Sequence, residues 1–198
     1  KLYIDVNSVI RAAKLYTSDV VFSNKKEDIL NAKKIIMPGQ GSFDFAMNNL
    51  LKLNIYETIR EVALEKKIPI LGICLGMQLL ATSGTENVYC KGLDLIKGNV
   101  EKLNCDKKYL PNIGWNTVNF ESSDNLFDGI ENNLDYYFLH SYHFVCDNPK
   151  NVIAKCKYFS NFNAIIKNEN IYGIQFHPEK SLDNGLKLIK NFITKDEI

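Results

Sequence analysis

The sequence predicts an α/β fold of three layers, α/β/α, around a central and mostly parallel sheet, with an antiparallel extension in the second half. Three observations predict it. Up to Gly84, apolar runs alternate with amphipathic helical runs, the rhythm of βαβ units in a doubly wound sheet. Past Gly84 the helical runs give way to short apolar runs separated by turn residues. The 198 residues can bury a substantial core, and with no internal repeat or low-complexity linker they read as one domain, 1–198.

In chain order, Leu2 to Val6 reads as a buried first strand. Val9 to Tyr16 reads as a helix whose core residues are Val9, Ile10, Ala13 and Leu15. Val20 to Phe22 is expected as a second short strand, Asp28 to Ala32 as a helical turn, and Lys34 to Met37 as a third strand. That strand runs into Pro38-Gly39-Gln40-Gly41-Ser42, a turn with enough glycine to let backbone face a ligand. Phe45 to Lys66 has a helical pattern with a break near Asn54. After a central strand at Ile68 to Ile73, the second half supplies runs at Leu93 to Leu103, Thr117 to Phe120, Tyr136 to Cys146, Val152 to Tyr158, Asn163 to Lys167 and Ile171 to Phe176. Leu182 to Ile193 closes the chain as an amphipathic helix.

The central strand leads to the chemistry. It ends in Gly72-Ile73-Cys74-Leu75-Gly76, a cysteine flanked by glycines between a strand and a helical run. This is the thiol counterpart of the Gly-x-Ser-x-Gly nucleophile elbow, whose turn is too sharp for side chains beside the nucleophile. A cysteine at a helix amino end meets free N–H groups and a dipole that favour thiolate. A cysteine merely buried in an apolar strand is the alternative.

Bulk properties exclude several classes. Acidic and basic residues nearly cancel, at a formal charge of +1, which leaves no footprint for nucleic acid or an anionic membrane. The five cysteines form no C-x-x-C pair, so neither a zinc site nor a disulfide framework is expected. Reduced thiols, no bilayer-length apolar stretch and no opening signal segment point to a cytoplasmic protein.

A cysteine nucleophile needs a base and a group to orient it. Of the three histidines, His140, His143 and His177, the last stands just past an apolar strand in Gln175-Phe176-His177-Pro178-Glu179. Glu179 is placed to accept the second ring proton, at a strand end where α/β sheets put their sites. His143 is expected at the surface.

Gly-Ile-Cys-Leu-Gly-Met-Gln together with Gln-Phe-His-Pro-Glu resembles the class I (triad) glutamine amidotransferases, a flavodoxin-like α/β fold. Gly114-Trp115-Asn116, His140-Ser141-Tyr142 and the Pro-Gly-x-Gly-Ser-Phe turn resemble the glutaminase subunits of imidazole glycerol phosphate synthase. The resemblance implies a triad of Cys74, His177 and Glu179, with Leu75 and the turn containing Gly39 and Gly41 supplying oxyanion donors. It implies glutamine contacts at Gln78, His140, Ser141 and Tyr142, no cofactor, and a (β/α)₈-barrel cyclase partner (HisF-like) that takes the ammonia in a heterodimer. Trp115, Tyr137 and Lys180 match the partner-facing positions.

Three positions depart from that pattern. Asp5 runs straight into Val6-Asn7-Ser8 where a Gly-x-Gly-Asn turn is usual, Gln40 replaces the usual valine, and Asn112 stands where histidine commonly precedes Gly-Trp-Asn. A paralogue feeding ammonia to a barrel partner in surface-sugar (amidine) synthesis therefore stays open, as does a catalytically inert scaffold subunit.

Overall fold

The computed structural model describes residues 6–198. The strand expected at Leu2 to Val6 lies outside them, except for Val6, which opens the first helix, α1 (Val6–Lys14). After α2 (Lys26–Leu30) come β1 (Ile35–Gly39), α3 (Phe43–Lys52), α4 (Tyr56–Leu64), β2 (Ile70–Cys74) and α5 (Leu75–Leu79). The second half carries β3 (Ser83–Gly84), β4 (Cys90–Lys91), β5 (Gly98–Lys102), β6 (Asn112–Phe120), β7 (Leu134–His140), β8 (Tyr142–Cys146), β9 (Val152–Tyr158), β10 (Ser160–Asn168), β11 (Ile171–Ile174) and α6 (Leu182–Thr194).

A seven-stranded sheet runs in the order β1-β2-β11-β10-β9-β6-β7, and a four-stranded sheet in the order β4-β3-β5-β8. In the larger sheet β1, β2 and β11 are parallel, and the pairings from β11 through to β7 are antiparallel. This is the α/β layering with an antiparallel extension that the change of rhythm at Gly84 predicts. Of the parallel strands, β2 and β11 are buried on both faces, which is why Ile70–Cys74 reads as a continuous apolar run and not as an alternating one.

Period-2 geometry sorts those side chains into two cores. Leu71, Ile73, Tyr172 and Ile174 point to the cluster that takes Val9 of α1 and Leu188 and Phe192 of α6. Ile70 and Ile171 point to the opposite cluster, with Phe43 and Met47 of α3 and Ile59 and Val62 of α4. The long helical pattern does break where expected: Asn54, with φ 53°, separates α3 from α4.

Three expectations fail locally. Val20 to Phe22 forms no strand, and Val21 and Phe22 stand exposed, because three apolar residues found no neighbour to pair with. Leu15 falls beyond the end of α1 and is exposed, its place in the core taken by Ala12, while Ile10 is only half-buried. His143 is half-buried on β8 beside Phe162, not on the surface. Among the described residues no helix is long and apolar enough to cross a membrane.

Candidate active site

Cys74 is the last residue of β2 and the first before α5, and its backbone sits at φ 54°, ψ −110°. A non-glycine residue in that region costs on the order of 1–3 kcal/mol and persists only where its surroundings impose it. Here the surroundings are the strand and helix themselves. A Cβ on Gly76 would fall onto the Met37 carbonyl of β1, and one on Gly72 would come within 2.5 Å of the Gly76 carbonyl oxygen. Only glycine lets α5 turn this tightly against β1 and β2.

The parallel pairing of β11 with β2, Ile174 opposite Ile73, delivers the segment after β11 to the same sheet end as Cys74. There the His177 ring is buried, and its Nδ1 lies 3.0 Å from Glu179 Oε1, with both side chains essentially closed to solvent. Since the carboxylate only accepts, Nδ1 carries the proton. Nε2 is buried with no hydrogen-bond partner. Burial opposes a charge on the ring, but interaction with Cys74 and then with Glu179 outweighs it, and the His177 pKa is raised to about 9. The backbone is held as well: the His177 N–H donates to the Tyr137 carbonyl at 2.9 Å, and the buried Ser181 hydroxyl donates to the His177 carbonyl at 2.7 Å.

Cys74 opens on a cleft of about 220 Å³ lined by Gln40, Gly41, Leu75, Gln78, Glu86, Leu139, His140, Ser141 and Tyr142. The Cys74 sulfur lies 3.8 Å from the Leu139 carbonyl, and Gln175 Nε2 donates to it at 3.9 Å. Gln78 Nε2 donates to the Tyr142 carbonyl at 2.9 Å and to Gln175 Oε1 at 3.3 Å. Gly39 is not in the cleft wall; it pairs with Cys74 across β1 and β2, and its missing Cβ leaves room for Leu75 and Gly76.

This arrangement, a strained cysteine, a buried histidine–carboxylate pair and a small polar cleft, holds the groups that covalent acyl transfer requires. The family model described as glutamine amidotransferase class-I matches residues 6–195. The chain belongs to the class I glutamine amidotransferase family. Within the family it is 46% identical over 171 residues to "Imidazole glycerol phosphate synthase subunit HisH" of Leptospira borgpetersenii, covering 84% of this chain and 83% of that one. It is 43% identical to the subunit of the same name from Methanocaldococcus jannaschii, covering 96% of this chain and 93% of that one. A crystal structure titled as a glutamine amidotransferase matches the fold at a TM-score of 0.75 and 18% identity, over 96% of this chain and 92% of that one.

Of the residues expected from the amidotransferase motifs, Cys74, Leu75, Gln78, Gly41, His140, Ser141 and Tyr142 share the cleft, with His177 and Glu179 buried against it. Trp115, Tyr137 and Lys180 form a separate group. The Trp115 ring meets Tyr137 edge-on at 6.1 Å, Lys180 Nζ lies 6.0 Å over the Tyr137 ring, and Trp115 is 48% exposed.

Two polar residues escaped sequence reasoning, Glu86 in the cleft wall and Gln175 buried behind it. Glu86 accepts the Phe43 N–H at 2.8 Å, and burial raises its pKa; it sits in a turn with no motif around it, so nothing in the sequence marks it. Gln175 did carry a signal, a fully buried amide that continues the apolar run of β11 two residues before His177.

Proposed function

We propose that this chain is the glutaminase subunit of an imidazole glycerol phosphate synthase, acting in the cytoplasm as a heterodimer with a (β/α)₈-barrel cyclase subunit. The observation that carries the reading is the convergence of Cys74, on its strained turn, with the buried His177–Glu179 pair beside one cleft. The likeness to chains named as that synthase's subunit supports the assignment within the family.

The chemistry follows from the groups present. Cys74 sulfur adds to the side-chain carboxamide carbon of glutamine, after His177 takes the thiol proton on Nε2. The resulting oxyanion is held by the Leu75 N–H and an N–H of the Gly39–Gly41 turn; one such donor is worth about 100- to 1000-fold in rate. The imidazolium gives its proton to the departing nitrogen, and ammonia leaves a glutamyl thioester. Water then adds to the thioester with His177 as base, and glutamate is released with the thiol restored. Glu179 keeps the proton on Nδ1 throughout, so that Nε2 is the nitrogen that exchanges protons. Glu86 is the carboxylate among the cleft-lining residues, and we assign it to the α-ammonium of the substrate. Gln78, Ser141 and Tyr142 complete the cradle. The ammonia is used by the cyclase to make imidazole glycerol phosphate and aminoimidazole carboxamide ribotide in histidine biosynthesis.

The test is a glutaminase assay of the chain with and without a liganded barrel cyclase. The expected outcome is weak hydrolysis alone and strong stimulation by the cyclase. Cys74→Ala should abolish glutamine-dependent synthesis and leave ammonia-dependent synthesis by the complex intact. Wild-type glutaminase activity in that variant would refute the nucleophile assignment, and stimulation only by a surface-sugar amidotransferase partner would move the chain to that pathway.

A further inference from the structure

The Asn112 departure has a structural counterpart in the cleft wall. At the end of β7 the chain crosses from the seven-stranded to the four-stranded sheet through Ser141, and β8 begins at Tyr142. The corner is closed by His140, whose Nδ1 lies 2.9 Å from the Tyr142 carbonyl oxygen. That carbonyl can only accept, so Nδ1 carries a proton. The ring is buried against Phe138 and Phe162, at centroid distances of 5.6 and 5.0 Å.

A neutral ring protonated on Nδ1 presents a lone pair on Nε2, and a buried lone pair needs a donor. Asn112 sits opposite His140 in the β6–β7 register, is fully buried, and has Nδ2 3.2 Å from His140 Nε2. With Nδ2 committed to the ring, Asn112 Oδ1 must accept, and Asn116 Nδ2 lies 3.1 Å from it. In a neutral ring, that one acceptor-only carbonyl therefore fixes the direction of every bond from Tyr142 back to Asn116. The same carbonyl takes the Gln78 amide at 2.9 Å, so the chain of bonds ends on a cleft residue.

We infer that Asn112 is a positioning residue: by donating to His140 Nε2 it holds His140 as the neutral Nδ1–H imidazole that pins the His140–Tyr142 corner of the cleft. The inference deepens the proposed function and, for its effect on glutamine, rests on it. Burial lowers the His140 pKa to about 3, so the ring stays neutral at any working pH. The ionisable groups around the ring are His143 on β8 and His177 after β11, both of which disfavour a charge on it, with Cys74 and Glu86 in the same cleft wall. Asn112, with its fixed donor, fits that neutral ring; a carboxylate at the same place would not.

The experiment is a long-range ¹H–¹⁵N spectrum of the histidine rings in the full-length chain between pH 5 and 8, with His140 assigned through His140→Gln. The expected result is an Nδ1–H tautomer for His140 that does not titrate in this range. An Nε2–H tautomer, or titration between pH 5 and 8, overturns the inference, and the wild-type spectrum alone decides this. In Asn112→Asp, of the same shape but accepting only, the His140 ring should take up a second proton and titrate within the window. The KM for glutamine should rise about 10-fold, the effect of one hydrogen bond made wrong, with a smaller change in kcat. An unchanged ring spectrum in that variant also overturns the inference. The expected spectrum in a chain with no glutaminase activity beside any cyclase would sink the proposed function and leave the tautomer standing; full activity with an Nε2–H ring would do the reverse.

Discussion

Burial alone would hold His177 as the neutral imidazole, yet Cys74 and Glu179 reverse that preference and carry its pKa from 6.5 to about 9. The sign of the consequence is definite. The folded protein holds the His177 proton more tightly than the unfolded chain does, so the stabilisation is complete below about pH 6.5 and is lost as pH rises toward 9. Glutaminase activity should fall on an alkaline limb near pH 9, as the His177 ring loses that proton. Glu179→Gln removes one of the two groups that raise the ring. The expected outcome is a fall in kcat of at least about 100-fold, as when an orienting carboxylate is lost from a triad. The residual alkaline limb should move to lower pH, and the stability gap to wild type should be wide at pH 6 and narrow by pH 9. A pH–rate profile and thermal melts at both pH values read these effects; a limb that stays in place would show that Glu179 does not set the His177 charge.

The segment after β11 owes its position to α6 as much as to the sheet. A short helical turn at Pro178–Lys180 leads directly into α6, and Gly185 packs against it so closely that a Cβ would fall onto the Pro178 carbonyl and within 2.7 Å of Ser181 Cβ. Ser181 is itself wired in, accepting the Tyr137 N–H at 3.0 Å while donating to the His177 carbonyl. Gly185→Ala must push α6 and the turn apart, at about 1–3 kcal/mol for a forced overpacking. Because the displaced turn is the one carrying His177 and Glu179, kcat should drop by more than about 10-fold at a temperature where far-UV circular dichroism still reports a folded chain. Unchanged kcat in a destabilised variant would mean that the turn is held by β7 alone. This close packing was not readable from the chain, where Gly185 falls on the buried face of the helix but has no side chain to mark it. The pattern itself was readable: Leu188, Ile189 and Phe192 recur on one face, and α6 ends one residue past its expected boundary. The elbow, the His-Pro-Glu turn and the break at Asn54 were also legible, because each depends on local backbone chemistry. What stayed hidden depends on distant partners. Val20 to Phe22 looks like a strand until no neighbour comes to pair with it, and Glu86 reaches the cleft only because Phe43, 43 positions away, donates its N–H there.

Two surfaces of the whole molecule meet at Tyr137. Its backbone carbonyl accepts the His177 N–H at 2.9 Å and its backbone N–H donates to Ser181, so the backbone of β7 grips the turn that carries His177 and Glu179. Its ring is on the outer side, between Trp115 and Lys180. A partner docked on that aromatic group would press on the strand that positions His177, which gives the proposed stimulation by the cyclase a physical route, one hydrogen bond directly and two through Ser181. Trp115 is the anchor to remove, since a half-exposed tryptophan beside a tyrosine and a lysine has the composition of an interface hot spot. In a titration of the liganded cyclase, Trp115→Ala should raise the concentration giving half-maximal glutaminase activity by more than about 10-fold, the loss expected when a hot-spot side chain is truncated. Ammonia-dependent synthesis by the cyclase alone should not change, because that reaction does not need this chain. Lys180→Glu should act in the same direction through charge, and more weakly as salt is raised, since its ammonium lies at the rim of the group. Half-maximal concentrations unchanged in both variants would place the docking surface elsewhere on the molecule and remove the route through Tyr137.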